Sequence, residues 1–281
     1  MRNNLDRLGA GSNQPQNQDS DPPMDNSIPS INFVIPTEMV SLPSKGLFYP
    51  ENHPLHKSET IEIKQMTAKE EDILTSRNLL KKGIALDKLI QSLIVNKQIN
   101  TDTLTIEDRS AIILAARISA YGAEYKTVVT CPSCNEKSKN SFDLLEKLDS
   151  IDDIQPPPIT SGGYFLVTLP ATKWEVLCRA LNGYDEKALV RFTEAKKNVS
   201  DSDSLLLEQL KLMVVAINEV TDKNTLQTAL VNMPARDAKH LRTTYSQAVK
   251  GVDMRHSFSC DKCDYNGELE VPLTADFFWF K

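Results

Sequence analysis

Long hydrophobic runs are absent from this sequence of 281 residues. No apolar stretch approaches the ~20 residues that a membrane-spanning helix needs. The first residues, MRNNLD, have no apolar stretch behind Arg2, so the sequence predicts no signal peptide. We therefore expect a protein of the reducing cytoplasm, where closely spaced cysteines bind metal more often than they form disulfides.

The common motifs of catalysis are absent as well. The sequence has no glycine-rich phosphate loop, no His-Glu-x-x-His and no Gly-x-Ser-x-Gly. Positive charge is also scarce, because the formal net charge is −6 at pH 7. A broad surface for nucleic-acid phosphates would need clustered lysine and arginine. These absences predict a protein that is not an enzyme, has no small-molecule substrate and does not bind nucleic acid.

Cysteine is rare, but four of the five cysteines form two closely spaced pairs. The pairs are Cys131 with Cys134 and Cys260 with Cys263. Two residues separate the cysteines of each pair, and this spacing lets one tight turn aim both thiolates at a single tetrahedral metal ion. Two pairs fill a four-coordinate site and leave no open position for a substrate. The sequence therefore predicts a structural Zn²⁺ ion bound by these four cysteines.

Two other interpretations of the cysteines stay open in the sequence. A Cys-x-x-Cys with an internal proline, as at Cys131, also occurs in thiol oxidoreductases, although the residues after Cys134 indicate a turn rather than the helix start that such enzymes use. The four thiols could also remain without a ligand. Cys178 is expected to be a small buried side chain on a helix, and His256 is expected on the face of a strand.

Little regular structure is expected in the first 58 residues. Residues 1–30 are rich in Asn, Gln, Asp, Ser, Gly and Pro, and their few apolar side chains cannot offset the entropy of ordering. They are predicted to form a disordered tail. Residues 31–58 are apolar but are interrupted by prolines, among them Pro36 and Pro43. They predict an extended arm without a regular element, lying over a core or a neighbouring subunit.

Residues 59–150 are predicted to hold a helical segment and the first half of a zinc ribbon. Thr60–Lys64 alternates as a short strand. A helix is expected over residues 67–82, and its start, from Thr67 to Glu70, has the pattern of a capping box. Further helices are expected over residues 86–95 and after Thr105.

The hydrophobic period changes to two around each cysteine pair. Glu124–Thr130 and Lys137–Asp143 alternate on either side of the first pair, and residues 252–258 and 265–271 do so around the second. This order of strand, knuckle and strand occurs twice, as in a zinc ribbon. Residues 252–281 are thus expected to form the second half of the ribbon and an aromatic C-terminus that packs on the core or on a partner.

Residues 151–251, between the two knuckles, are predicted to form a mainly helical insert that begins with a proline-rich linker. A strand is expected at Tyr164–Thr168. Helices are expected at Trp174–Leu181, Glu186–Ala195, Leu205–Val220 and Pro234–Lys250. The predicted fold class is therefore α+β: a four-cysteine zinc ribbon, short helices before it, and this insert between its knuckles.

Several segments between about residues 40 and 140 resemble a known family. They are LPSKGLFYP at 42–50, MTAKEEDILTSR at 66–77 with LKKGIALD at 80–87, and Asp108-Arg109 with AARISAYG at 115–122. With the Cys-x-x-Cys that follows, they resemble the baseplate hub protein family of T-even-like contractile-tailed bacteriophages. The second cysteine pair agrees with this family, whereas the insert and the N-terminal tail resemble it only loosely.

The resemblance implies a non-enzymatic protein of the tail baseplate hub, either a structural subunit or an assembly factor. Its partners would be other baseplate and tail hub proteins. It would be found in the virion tail baseplate, or in the host cytoplasm during assembly. An alternative of another class is a zinc-ribbon adaptor that binds nucleic acid, which the net charge of −6 opposes.

Overall fold

The computed structural model describes residues 34–151, 157–196 and 204–279. The chain divides into two units, Met1–Val34 and Ile35–Lys281, and every element named below lies in the second unit. The predicted disordered tail of residues 1–30 falls outside the described residues, as do residues 31–33 of the predicted arm. The domain boundaries expected from the sequence therefore stay predictions.

A two-stranded antiparallel sheet opens the described part of the second unit. Strand β1, Thr37–Ser41, pairs with strand β2, Thr60–Lys64, and Val40 lies opposite Ile61 in the ladder. The strand at 60–64 is confirmed. The prediction of an arm without regular elements was wrong for β1, because no proline falls between Pro36 and Pro43 and the backbone amides there can join a sheet.

The connection from β1 to β2 depends on the turn at Gly46. This residue has a φ of 69°, and a Cβ atom there would lie 2.3 Å from the amide nitrogen of Ser58 and 2.4 Å from the carbonyl oxygen of Leu55. Both the left-handed backbone and the close approach require glycine. The turn thus brings residues 42–50 back against the rest of the chain.

Helices follow β2 as far as the first hairpin. They are α1 (Ala68–Thr75), α2 (Arg77–Lys81), α3 (Ala85–Leu93), a 3₁₀ turn (Thr101–Thr103) and α4 (Ile106–Tyr121). The helix predicted over 67–82 is divided at Ser76, whose extended backbone (φ −63°, ψ 107°) ends α1 and begins α2. The helices expected over 86–95 and after Thr105 are confirmed as α3 and α4.

Two antiparallel hairpins carry the cysteine pairs. The first joins β3 (Glu124–Thr130) to β4 (Lys137–Asp143), as predicted, and a short helix, α5 (Leu145–Asp149), follows it. The second hairpin lies near the end of the described chain, after the insert. In each strand, alternate side chains are less exposed than their neighbours, which is the period of two that the sequence predicts.

The insert contains a three-stranded antiparallel sheet as well as helices. Its strands are β5 (Tyr164–Thr168), β6 (Glu175–Arg179) and β7 (Val214–Ile217), in that order across the sheet. Its helices are α6 (Gly183–Lys196), α7 (Ser204–Met213), α8 (Lys223–Val231) and α9 (Ala235–Ala248). The second hairpin then joins β8 (Arg255–Ser259) to β9 (Asn266–Glu270), and a 3₁₀ turn (Ala275–Phe278) follows.

Two helix predictions in the insert need correction. The segment Trp174–Leu181 forms β6 instead, with Val176 and Cys178 buried on one face, and so short an apolar run fits a strand as well as a helix. The long helix expected at Leu205–Val220 ends at Met213, because three of the four residues that follow are β-branched and form β7. The strand at Tyr164–Thr168 and the helices at α6 and α9 are confirmed, whereas α8 was not predicted.

The described chain has two hydrophobic cores. The first is built from residues 40–151 together with Met254, Phe277 and Phe278, so the C-terminal residues close the core that the N-terminal residues begin. The second lies within the insert, between residues 165 and 249. The mixture of helices and strands confirms the α+β class.

Candidate metal centre

The four paired cysteines converge on one point. Their Sγ atoms all lie within 4.8 Å of one another. Cys131 Sγ is 3.7 Å from Cys263 Sγ, and Cys134 Sγ is 3.6 Å from Cys260 Sγ. Four sulfurs at ~2.3 Å from a central zinc ion would lie about 3.8 Å apart. The predicted site residues are therefore brought together in an arrangement that could hold one four-coordinate metal ion.

Each pair lies at the tip of a hairpin whose turn is closed by the same hydrogen bond. The amide of Cys131 donates to the carbonyl of Glu136 at 2.9 Å, and the amide of Cys260 donates to the carbonyl of Tyr265 at 3.0 Å. In the first turn Asn135 has a φ of 59°, a conformation that asparagine tolerates better than most residues. In both turns, the amide of the first cysteine thus donates to the carbonyl of the residue five positions later.

Negative charge is shared unevenly within the cluster. Burial acts to raise the pKa of Cys131, but hydrogen bonds from the backbone amides of Cys134 and Ser133 and from neighbouring thiols lower it to about 7. The amide of Glu136 acts to lower the pKa of Cys134, yet burial and the three other thiols raise it to about 12. One thiolate therefore forms readily, whereas four at these distances need a cation to offset their repulsion.

Direct contacts also hold the two hairpins together. The His256 ring stacks on Phe142, with 4.4 Å between the ring centroids and 23° between the planes. The Lys147 ammonium donates to the backbone carbonyl of Arg255 at 2.7 Å. His256 thus lies on a strand face, as expected, and the hairpins approach one another without relying on the cysteines alone.

Other candidate ligands lie away from the cluster. Cys178 lies in the core of the insert, where burial raises its pKa to about 12. Its burial was expected, but it lies on β6 and not on a helix. His53 stacks on Tyr49 with 4.3 Å between the ring centroids. Among the described residues, no second group of three or more His, Cys, Asp or Glu side chains converges in a comparable way.

A buried carboxylate fixes the turn of residues 42–50 onto α4. Asp108 is fully buried and accepts hydrogen bonds from the Ser44 amide (3.0 Å), the Ser44 hydroxyl (2.6 Å) and the Tyr49 hydroxyl (2.6 Å). The Tyr49 hydroxyl in turn accepts from the amide of Thr105 at 3.2 Å. Burial raises the pKa of Asp108, while these hydrogen bonds act in the opposite direction. Sequence reasoning placed Asp108 in a helix start but did not find these partners, which come from 64 and 59 positions away.

A second buried carboxylate joins β2, α1 and α3. Glu70 accepts from the Lys64 ammonium at 2.8 Å, from the Thr67 amide at 3.0 Å and from the Ser92 hydroxyl. Burial acts to raise the pKa of Glu70, but these hydrogen bonds lower it to about 2. The predicted capping box is confirmed. The side chain of Glu70 is also fully buried, which the capping-box pattern alone did not indicate.

Charged side chains also tie α4 to the insert. The Arg109 guanidinium pairs with Asp87 of α3 and lies 3.4 Å from Glu186 of α6. Lys187 of α6 pairs with Asp87 at 3.1 Å and with Asp102 at 2.6 Å. Arg109 therefore forms its ion pairs within the chain.

The aromatic C-terminal segment packs on the first core. Phe277 and Phe278 are buried, and the ring of Phe277 lies 5.0 Å from that of Tyr125. The Arg117 guanidinium, which lies over Tyr125 at 5.7 Å from the ring centroid, donates to the carbonyl of Phe277 at 3.3 Å. Of the two sites expected for this segment, the core is the one that it contacts.

Residues 38–160 match a protein-family model described as T4 bacteriophage base plate protein. The matched region runs from β1 through the first cysteine pair and includes the networks of Glu70 and Asp108; most of the insert and the second pair lie outside it. The match covers less than half of the chain and supports a relation to this phage baseplate protein family. No curated protein and no solved structure matches the chain significantly. None of the described helices is long and apolar enough to cross a membrane.

Proposed function

We propose that this chain acts in the central hub of a phage tail baseplate, as a hub subunit or as a factor that assembles the hub, and that it catalyses no reaction. The observation that carries the proposal is the family match over residues 38–160. The resemblance over about residues 40–140 extends the proposal from the baseplate to its hub. The segment from Leu42 to Pro50 and those that follow it are similar to segments of hub proteins.

The internal chemistry of the matched region supports a structural role. Glu70 and Asp108, the two buried carboxylates described above, are each held by several internal donors. Carboxylates held in this way fix the positions of neighbouring elements and do not face a substrate. They keep the turn after β1 and the helices α1, α3 and α4 in one arrangement. A subunit that must fit its neighbours in an assembly requires such a fixed arrangement.

We further propose that Cys131, Cys134, Cys260 and Cys263 hold a structural zinc ion. Positions 135–259 lie between the pairs, and closing a loop of that length costs roughly 5 kcal/mol of chain entropy. A four-thiolate zinc site contributes on the order of 10–16 kcal/mol at neutral pH. Bound zinc would therefore hold the second hairpin against the first with a net gain, and no coordination position would remain for a substrate.

Quantitative mass spectrometry tests the hub assignment. The chain would be measured in purified phage particles and in baseplate intermediates isolated from infected cells. A hub subunit is expected in both preparations at a fixed ratio to the other baseplate proteins. An assembly factor is expected in the intermediates but not in the particles.

A second test of the hub assignment uses a phage in which the gene for this chain is interrupted by an early stop codon. Electron microscopy of the lysate should show tails or baseplates that lack a complete hub, and expression of the intact chain from a plasmid should restore them. Complete, infectious particles in the absence of the chain would contradict the proposal, as would its absence from both preparations.

A further inference from the structure

Four lysines gather around a cleft where β2, α1 and α3 meet. The cleft has a volume of about 660 Å³ and is lined by Lys64, Lys69, Lys88 and Lys97. Of the described residues that line it, none carries a carboxylate. Such a concentration of positive charge is notable in a chain whose formal net charge is −6. It gives this part of the surface a sign opposite to that of the chain as a whole.

The four lysines differ in how they are held. Lys64 pairs with the buried carboxylate of Glu70 at 2.8 Å, which offsets its charge, and Lys97 donates to backbone carbonyls at the end of α3, including that of Gln91 at 3.2 Å. Lys88 donates to the side-chain oxygen of Gln91 at 3.0 Å. Lys69, Lys88 and Lys97 are exposed, so the positive charge that a ligand can reach comes from these three lysines.

The lysines act on one another electrostatically. Burial is the main cause that lowers the pKa of Lys97, and the charges of Lys64 and Lys69 lower it further, while the nearby Glu70 carboxylate acts in the opposite direction. Positive charges that repel one another in a shared cleft are stabilised when an anion binds among them. The geometry and the charge of the cleft therefore both favour an anionic ligand.

Apolar side chains make up the rest of the cleft and restrict the kind of anion. Ile94, which is buried, and Val95, which is 39% exposed, both line it, and so does Ile35, which is 40% exposed. A nucleic acid carries phosphates along its whole length, so its charge would extend beyond the cleft onto a surface of net negative charge, and it offers few aliphatic groups to these side chains. An acidic peptide presents both carboxylates and apolar side chains, and it needs only a local basic surface.

We propose that this cleft binds an acidic, extended segment of a partner protein, with carboxylates on Lys69 and Lys88 and an apolar side chain against Ile94 and Val95. The site is an interaction surface of the matched region that is separate from the metal centre. It does not depend on the role of the chain in a hub, because it rests only on the charge and shape of the cleft.

A binding measurement with a defined probe tests the proposal. The probe is a short fluorescein-labelled peptide in which glutamate and leucine alternate, titrated with the full metal-loaded chain and followed by fluorescence anisotropy. The K69E/K88E double variant reverses two of the three exposed charges of the cleft. The matched control is K223E/K239E, which changes the net charge equally on exposed positions of α8 and α9. Circular dichroism melting verifies that all three chains are folded.

The expected result is binding that weakens as salt rises, is about tenfold weaker for K69E/K88E, and is unchanged for K223E/K239E. A peptide with serine in place of leucine should also bind more weakly. No binding, or equal binding by the two double variants, would overturn the proposal. The proposal would also be overturned if an oligonucleotide bound more tightly than the peptide with the same dependence on Lys69 and Lys88. The preferred ligand of the cleft would then be a nucleic acid.

Discussion

The guanidinium of Arg117 donates a hydrogen bond to the backbone carbonyl of Phe277, 160 positions further along the chain, at 3.3 Å. The same side chain donates to the carbonyl of Gly122 at 3.0 Å. Arg117 thus joins the end of α4 to the C-terminal aromatic segment. The Arg117–Phe277 contact is buried, so removing this charged donor leaves the Phe277 carbonyl without it in the first core.

Replacing Arg117 with methionine should destabilise the chain by about 2–4 kcal/mol, because it removes charged hydrogen bonds and the contact with Tyr125 while keeping most of the side-chain volume. Denaturant unfolding measures the loss, and hydrogen exchange should show faster exchange in residues 275–279. Arg77→Met, at an exposed position of α2, is the control and should change stability by less than about 0.5 kcal/mol. Equal effects of the two substitutions would contradict this role for Arg117.

The purified chain should contain one zinc ion, and the C134S/C263S double variant, which removes one ligand from each pair, should contain none. Loss of the ion should lower stability by about 5 kcal/mol or more, since the closed loop is then no longer held by metal. Elemental analysis by plasma mass spectrometry and thermal melting under reducing conditions provide the two measurements. The C178A variant should keep its zinc, because Cys178 lies in the other core. A wild-type chain without metal would refute the site.

Glu70 should make stability depend on pH in the acid range. Its pKa is lowered from 4.5 to about 2 in the folded chain, so its contribution is fully present above about pH 4.5 and is lost as pH falls through that interval to about 2. A shift of this size corresponds to about 3 kcal/mol. Glu70→Gln should lose that amount at neutral pH and show a flatter pH profile in urea unfolding.

Asp72→Asn is the matched control for Glu70→Gln, because Asp72 lies on the same helix but is exposed. Its profile should follow that of the unsubstituted chain. If Glu70→Gln retained the full acid dependence of the unsubstituted chain, other carboxylates would account for it and the assignment to Glu70 would be wrong.

Tyr49→Phe should cost about 2–3 kcal/mol of unfolding free energy. The substitution removes a donor to the buried Asp108 and the acceptor for the Thr105 amide, while leaving the aromatic ring in place. Tyr184→Phe, in which the ring is 51% exposed, should cost under about 1 kcal/mol. Chemical denaturation measures the free energy of unfolding of both variants. A similar small decrease for each would show that the Asp108 network adds little stability.

The cysteine site could be predicted from the sequence because its information is local. The spacing within each pair and the alternating residues around it specify the two hairpins, and β3 and β4 were predicted at their observed bounds. That the pairs meet is a long-range property; the sequence suggested it only because four ligands complete one site.

The buried networks could not be predicted because their partners lie far apart in the chain. Nothing next to Asp108 indicates that Ser44 and Tyr49 will reach it, since that contact depends on the turn at Gly46. In the insert, β6 was mistaken for a helix because five residues are too few for periodicity to separate the two states. Features that depend on tertiary contacts are not visible in the local sequence pattern.

The insert between the two hairpins imposes an order on the synthesis of the metal site. The ribosome completes Cys131 and Cys134 first and must then add the whole second core before Cys260 and Cys263 exist. At ~5–20 residues per second, this interval lasts roughly 6–25 s. During that time the first hairpin has only half of its ligands, while the insert already contains the residues of its own core. If the four cysteines hold the proposed zinc ion, its coordination can be completed only after the insert has been made, and a filled site would mark a chain synthesised through both hairpins.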